Sequence, residues 1–398
     1  MSSLNETPRS DRLHIGIFGK RNSGKSSLIN ALTGQQASLV SKVPGTTTDP
    51  VYKAMEIHGI GPAVLIDTAG FDDDGELGAQ RVGKTAEALK KTEIALLLFS
   101  EDAVKEELKW LEQMKKSGIP VIPVINKCDV RTDEDIKTLS DLVEKNCGTK
   151  PVLVSAATKK GIDEIRFRLI QSLPEDYGAQ SITEGVVKNG DRVLLVMPQD
   201  IQAPKGRLIL PQVQTLRDLL DKKCLVMSCT TDCLEGALKA MAAPPDVIIT
   251  DSQDFLTVYE KKPKESRLTS FSVLFAAYKG DIDYYTKSAS AIGSLTGESR
   301  VLIAEACAHA PLSEDIGRVK IPMLLRKRAG QNLKVEFAAG QDFPEDLTPF
   351  DLIIQCGACM FNRKYVLSRI EQARAQQVPM TNYGIAIAYL NGILEKIG

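Results

Sequence analysis

The stretch "RLHIGIFGKRNSGKSSLINAL", residues 12–32, constrains the fold more than any other. An apolar run ends in a loop, Gly19 to Ser26, that matches G-x-x-x-x-G-K-S, and an apolar helical period follows. In such a loop the glycines let backbone N–H groups turn inward around phosphate oxygens. The anion then sits at the N-terminus of the next helix, whose dipole favours it. The spacing therefore predicts a strand, a phosphate-binding loop and a helix at the head of an α/β domain with a mostly parallel sheet. Lys25 would reach the β- and γ-phosphates and Ser26 would hold Mg²⁺. Gly19, Asn22, Ser23, Gly24 and Ser27 complete the loop.

Further motifs select the base. "VLIDTAG" puts Asp67 and Gly70 at the end of an apolar strand, for an outer Mg²⁺ contact and a γ-phosphate N–H contact. "VIPVINKCD" ends another strand with Asn126, Lys127 and Asp129. A carboxylate at Asp129 accepts from guanine N1 and N2, whereas adenine, with no 2-amino group, leaves it unpaired. A site built on such pairing discriminates by roughly 10⁴ or more. "VLVSAATKKG" supplies Ser155 and Ala156, whose backbone would meet guanine O6. "VPGTTTDP" reads as a switch segment with a threonine for Mg²⁺. These elements occur in the order and spacing of small GTPases, and the domain is expected to span 1–174.

Asn22 inside the loop, with "PGTTTD" after it, resembles the tRNA-modification GTPase and its relatives. That resemblance implies a potassium ion bound with the help of Asn22, and Thr47 as the Mg²⁺ threonine. Phe71, not a water-orienting Gln, follows "DTAG". A monovalent cation where an arginine finger would stand is a physical substitute for that amide.

Composition removes other classes. The chain has 398 residues, 43% of them hydrophobic and 25% charged, so domains can build cores without staples. A net charge of -1, one Trp and 5% aromatics give no basic face and no base-stacking platform, so nucleic acid is not expected as a partner. A polar start, "MSSLNETPRSDR", and no long apolar run lead to the expectation of a cytoplasmic chain without a membrane span. Thiols in such a chain are expected free or metal-bound.

A polar stretch, 174–191, reads as a linker. Strands and short helices then alternate in a second α/β unit, expected at 175–265, as a dimerisation or spacer module. Cys224 and Cys229 lie five apart along an apparent strand, which puts them on opposite faces. The pattern restarts from about Arg267, giving a third α/β unit at 266–398. There Cys307 ends "RVLIAEAC", with His309 two residues on, and Cys356 ends "FDLIIQC", with Cys359 opening the next helix. Strand ends line the functional crevice of open α/β sheets, so these thiols can meet there. The residues alone leave three readings: an iron–sulfur cluster with an open iron, structural zinc on three Cys and one His, or packed thiols without metal.

A GTPase domain, a middle α/β unit, and C-x-H followed by C-x-x-C in that order resemble the GTPase of FeFe-hydrogenase maturation. "GRLILPQVQTLRDLLD" and "VPMTNYGIAIAYL" extend the likeness over nearly the whole chain. The resemblance implies a scaffold and carrier that uses GTP, Mg²⁺ and K⁺ and binds a 4Fe–4S cluster. It implies a transient di-iron precursor made with two radical-SAM maturases and delivered to the apo-hydrogenase, and a homodimer. Cys307, Cys356 and Cys359 take the places of the family's cluster cysteines, and His309 that of its C-x-H histidine. Gln355 stands where some relatives have His, which leaves the fourth iron ligand open. The competing reading is an RNA-modification GTPase with a structural Cys₃His zinc site.

Overall fold

The computed structural model describes residues 7–34, 50–70, 76–101, 103–173, 177–178, 180–197, 208–306, 315–340 and 342–396. Two compact units divide the chain, Met1–Tyr177 and Gly178–Gly398.

The first unit carries β1 (Leu13–Gly19), α1 (Lys25–Thr33), β2 (Val51–Ile57), β3 (Gly61–Asp67), α2 (Glu76–Lys91), β4 (Ile94–Phe99) and α3 (Lys105–Lys116). It continues with β5 (Val121–Ile125), α4 (Asp133–Cys147), β6 (Val152–Leu153) and α5 (Ile162–Gln171). Its sheet runs β2-β3-β1-β4-β5-β6. Only β2 is antiparallel to its neighbour. β1 and β4 are buried along their whole length, as continuous apolar runs in a parallel sheet covered on both faces should be. Alternate residues of β1 and β4 feed two cores. Ile15, Ile17, Leu96 and Leu98 pack with Leu28 and Ile29 of α1, while Phe18, Leu97 and Phe99 pack with Trp110 and Met114 of α3. The phosphate-loop motif thus joins a buried central strand to a helix, as its spacing predicts.

The second unit holds two four-stranded sheets, both wholly parallel. β7 (Arg192–Val196), α6 (Leu210–Asp221), β8 (Leu225–Cys229), α7 (Leu234–Ala240), β9 (Val247–Thr250), α8 (Phe255–Lys261) and β10 (Arg267–Ser270) make the first, in the order β10-β9-β7-β8. After α9 (Phe271–Lys279) and α10 (Ile282–Ser288) come β11 (Arg300–Glu305), α11 (Ile321–Ala329), β12 (Lys334–Ala339), β13 (Leu352–Gln355), α12 (Arg363–Ala375), β14 (Met380–Asn382) and α13 (Tyr383–Leu390). They build the second sheet, β12-β11-β13-β14.

Arg267–Ser270, placed by the sequence pattern at the head of a third unit, is the edge strand of the middle sheet, parallel to β9. Ser270 then caps α9 by accepting from Val273 N at 3.2 Å. α9 packs on α6 of one sheet and on α12 and α13 of the other. Ala388 of α13 and Ile393 lie in one core with Leu194, Val196 and Ile248 of the middle sheet. Cys224, just before β8, and Cys229, at its end, fall in different cores, as their odd spacing implies.

Candidate functional site

The first site lies in the first unit, at the ends of β1, β3 and β5. Gly24 has φ +91°, and a Cβ there would come within 2.3 Å of Asn126 Nδ2, so the loop needs glycine at this point. Asn22 has φ +60°, a left-handed conformation that asparagine tolerates better than most residues. Lys25 curls over the loop and donates to the carbonyls of Gly19 at 2.8 Å and Lys20 at 2.7 Å. Among the described residues the buried Ser23 hydroxyl has no hydrogen-bond partner, a donor suited to a phosphate oxygen.

Ser26 Oγ donates to Asp67 Oδ2 at 2.7 Å. The two side chains assigned to Mg²⁺ from sequence therefore meet, one from α1 and one from β3. Burial pushes the Asp67 carboxyl above the ordinary range, partly offset by the Ser26 hydrogen bond and the charges of Lys25 and Lys53. A divalent cation would reverse that balance, since it favours the carboxylate. Gly70 follows on the same segment, and Thr68 anchors it by donating to Ile17 O at 2.6 Å.

Asn126 binds the two halves of the nucleotide site together. Its Nδ2 donates to Ser23 O at 2.9 Å, and its Oδ1 accepts from Ala156 N at 3.4 Å. Lys127 has φ +62° and starts a short turn that presents Asp129 at the surface. Ser155 is buried, and its hydroxyl accepts from Thr158 N at 3.1 Å, which shapes the loop carrying Ala156. Exposed Ser27 lies in the first turn of α1. Thr47 and Phe71 lie outside the described residues.

Sequence reasoning missed Lys20. Its ammonium lies 3.5 Å from Glu107 of α3, a fully buried carboxylate whose burial raises its pKa, and it also donates to Ala103 O. It fastens the phosphate loop to α3. An x position in the loop motif carries no signal of this.

The second site lies in the second unit, past the ends of β11 and β13. Cys356 leaves β13, and its Sγ accepts two backbone N–H groups, from Ala306 at 3.1 Å and Ala358 at 3.4 Å. Ala306 directly precedes Cys307. Cys307 and His309 lie outside the described residues, and among the described residues no three metal-ligating side chains cluster. Burial pushes the Cys356 thiol up to about 11, with the neighbouring Cys359 adding to the rise. Ala358 turns the chain at φ +50° between the two cysteines. Cys359 does not itself open a helix: α12 begins at Arg363, capped by Asn362, which accepts from Tyr365 N at 3.3 Å.

Two buried cations flank this turn. Lys279 donates to Cys359 O at 3.2 Å and Phe361 O at 2.8 Å. Arg369, 2% exposed, donates to Gly340 O at 2.6 Å. Gln355, wholly buried beside Cys356, has no partner for either amide atom among the described residues. Soft sulfur acceptors of backbone N–H groups, buried cations and an unspent amide suit a thiolate-ligated, anionic metal group.

Comparison with known proteins bears on both sites. A family model described as the hydrogen maturase F dimerization domain matches residues 182–280, and one described as the hydrogen maturase F tetramerization domain matches 283–397. Together they cover more than half of the chain. A model of a 50S ribosome-binding GTPase matches 14–127, so the first unit is a P-loop GTPase domain, into which GTP and Mg²⁺ fit. The tRNA modification GTPase MnmE of Bacillus pumilus is 33% identical over 162 residues, 39% of this chain and 33% of that protein. The GTPase Der of Wolinella succinogenes is 40% identical over 139 residues, 34% of this chain and 29% of that protein. The chain thus spans about a third of the length of the curated relatives it matches. Among solved structures, Era of Aquifex aeolicus bound to GDP and AlF₄⁻ is similar, with a TM-score of 0.37 and 28% identity. That match covers 41% of this chain and 57% of that one. Among the described residues no helix is long and apolar enough to cross a membrane.

Proposed function

Since the chain belongs to the hydrogen maturase F family, with its part in hydrogenase maturation linked to a GTPase domain, we propose that it is a GTP-hydrolysing scaffold for a 4Fe–4S cluster. In this reading it receives a di-iron precursor from radical-SAM maturases and delivers it to apo-FeFe-hydrogenase in the cytoplasm, acting as a homodimer. The first unit, to about residue 174, binds and hydrolyses GTP, the segment of the middle sheet through Ser270 associates, and the segment of the last sheet carries the cluster.

The observation that carries the reading is Cys356 Sγ, which accepts two backbone N–H groups where β11 and β13 end. Such donors offset the charge of a thiolate and leave its remaining lone pair for iron. Cys307, Cys356 and Cys359 are the ligands proposed, with His309 a weaker, exchangeable fourth. When bound, the cluster supplies an iron open to exchange. In the first unit, Ser26 and Asp67 hold Mg²⁺ together with Thr47, and Asn22 contributes to a K⁺ site. The nucleotide acts as a switch for partner exchange.

Anaerobic purification tests the central claim. A brown protein with iron and acid-labile sulfide is expected; a colourless one with stoichiometric zinc would favour an RNA-modification GTPase with a structural site. Turnover of GTP in K⁺ and in Na⁺ at matched ionic strength tests the cation separately. Equal rates would remove K⁺ and leave the GTPase domain standing.

A further inference from the structure

Arg369 projects from α12 into a cage of three aromatic rings. Its guanidinium carbon lies 4.5 Å from the ring centre of Phe343, 4.6 Å from that of Phe361 and 4.9 Å from that of Tyr365. Phe361 and Tyr365 meet edge to face at 4.8 Å, so the cage walls brace each other. The side chain spends one nitrogen, Nη2, on Gly340 O at 2.6 Å. Among the described residues Nε and Nη1 are buried without hydrogen-bond partners and no carboxylate pairs with Arg369. A lone buried charge is costly, and the cage compensates it only in part.

The place of this charge suggests its use. Phe361 lies two residues beyond Cys359. Gly340, which Arg369 holds, donates its N–H to Glu305 O, one residue before the Ala306 that donates to Cys356 Sγ. Gln355 lies two residues along β13 from Ile353, on the face that packs against α12. Both residues with orphaned polar groups therefore belong to one face of the sheet, at its C-terminal edge. The buried carboxylate of Glu305 is engaged by Arg318 at 2.8 Å.

Resting on the cluster reading above, we propose that Arg369 is the built-in counter-charge of the metal group held at Cys356 and Cys359, and that it sets the reduction potential of that group. Thiolate ligands such as Cys356 and Cys359 bring negative charge to such a cluster, and one-electron reduction adds a further negative charge. A fixed cation in a low-dielectric cage stabilises the reduced form more than the oxidised form. Removing the charge therefore moves the potential to more negative values. The aromatic walls hold the guanidinium in place without neutralising it, as a paired carboxylate would.

The test is an EPR-monitored redox titration of the reconstituted full chain. R369K keeps the charge. R369M and R369Q remove it, and Met fills an aromatic cage well. At fixed potential the neutral variants should show a reduced-to-oxidised ratio lower by at least about tenfold, which is ~59 mV for a one-electron couple. R369K should stay near wild type. An unchanged midpoint in the neutral variants, or an equal shift in R369K, overturns the assignment. So do neutral variants that fail to fold while R369K folds, because the charge would then be structural. Wild-type chain that takes up no iron and sulfide overturns the cluster reading itself, and this assignment with it.

Discussion

At the scale of single residues the two sites make unequal demands. Asp129 sits exposed on its turn, so changing it disturbs no core. Asp129→Asn replaces a charged acceptor by an amide opposite two guanine N–H groups. Losing such hydrogen bonds costs about 3 kcal/mol, or ~100-fold in the Kd for GTP. Titration with a fluorescent GTP analogue measures this, and an affinity within a few-fold of wild type would remove the guanine pocket. Cys356→Ser and Cys359→Ser should each lose most iron and sulfide after anaerobic reconstitution, since a hydroxyl is a poor ligand where a thiolate is needed. A full iron complement in either variant contradicts the proposed ligand set. The nucleotide residues were legible because each does its work through a short motif on one strand end. Arg369 was not, because its cage draws on residues 340, 343, 361 and 365, and no local pattern joins the first two to the rest. Gln355 was noticed only as a departure from a resemblance; its burial without a partner is a tertiary fact.

At the scale of elements, hydrophobic runs announce strands, but sheet membership is a matter of pairing between distant segments. That is why Arg267–Ser270 reads as a beginning in sequence and is an edge strand of the preceding sheet. The middle sheet also has an electrostatic clasp. Asp246 accepts from Arg192 N at 2.8 Å, Nε at 3.1 Å and Nη2 at 2.9 Å, tying the start of β7 to the segment before β9. Hydrogen bonds from the Arg192 side chain and backbone hold its carboxyl down at about 2, below the ordinary 3.8. A depressed carboxyl stabilises the fold above its unfolded pKa and loses that contribution as pH falls through the folded value. Both side chains are more than a third exposed, so solvent screening keeps the worth of the pair small. Asp246→Asn should therefore melt a few degrees below wild type at neutral pH, by roughly the Tm shift expected for such a loss. The gap should close as pH falls from about 4 to about 2. A gap that is constant across that range would mean that the carboxylate charge contributes nothing.

At the scale of the whole molecule, the motifs for GTP and the thiol site fall in different compact units. GTP turnover should persist in Cys356→Ser and Cys359→Ser at close to the wild-type rate, read as phosphate release. A collapse of turnover in protein that still melts cooperatively would show that the thiol site is needed for hydrolysis. The second unit is less divisible than its two family models suggest. They meet between residues 280 and 283, just past α9, yet that helix serves both sheets, and Ala388 and Ile393 complete a core begun by Leu194 and Val196. This has a consequence for synthesis on the ribosome. The first unit can close as soon as its own strands have emerged. The middle sheet, complete once β10 at Arg267–Ser270 is made, waits with an open face for roughly a hundred further residues of translation, until α13 at Tyr383–Leu390 arrives to cover it. A nascent chain of this kind has its longest interval of exposed apolar surface in its middle third, where a holding chaperone would find it.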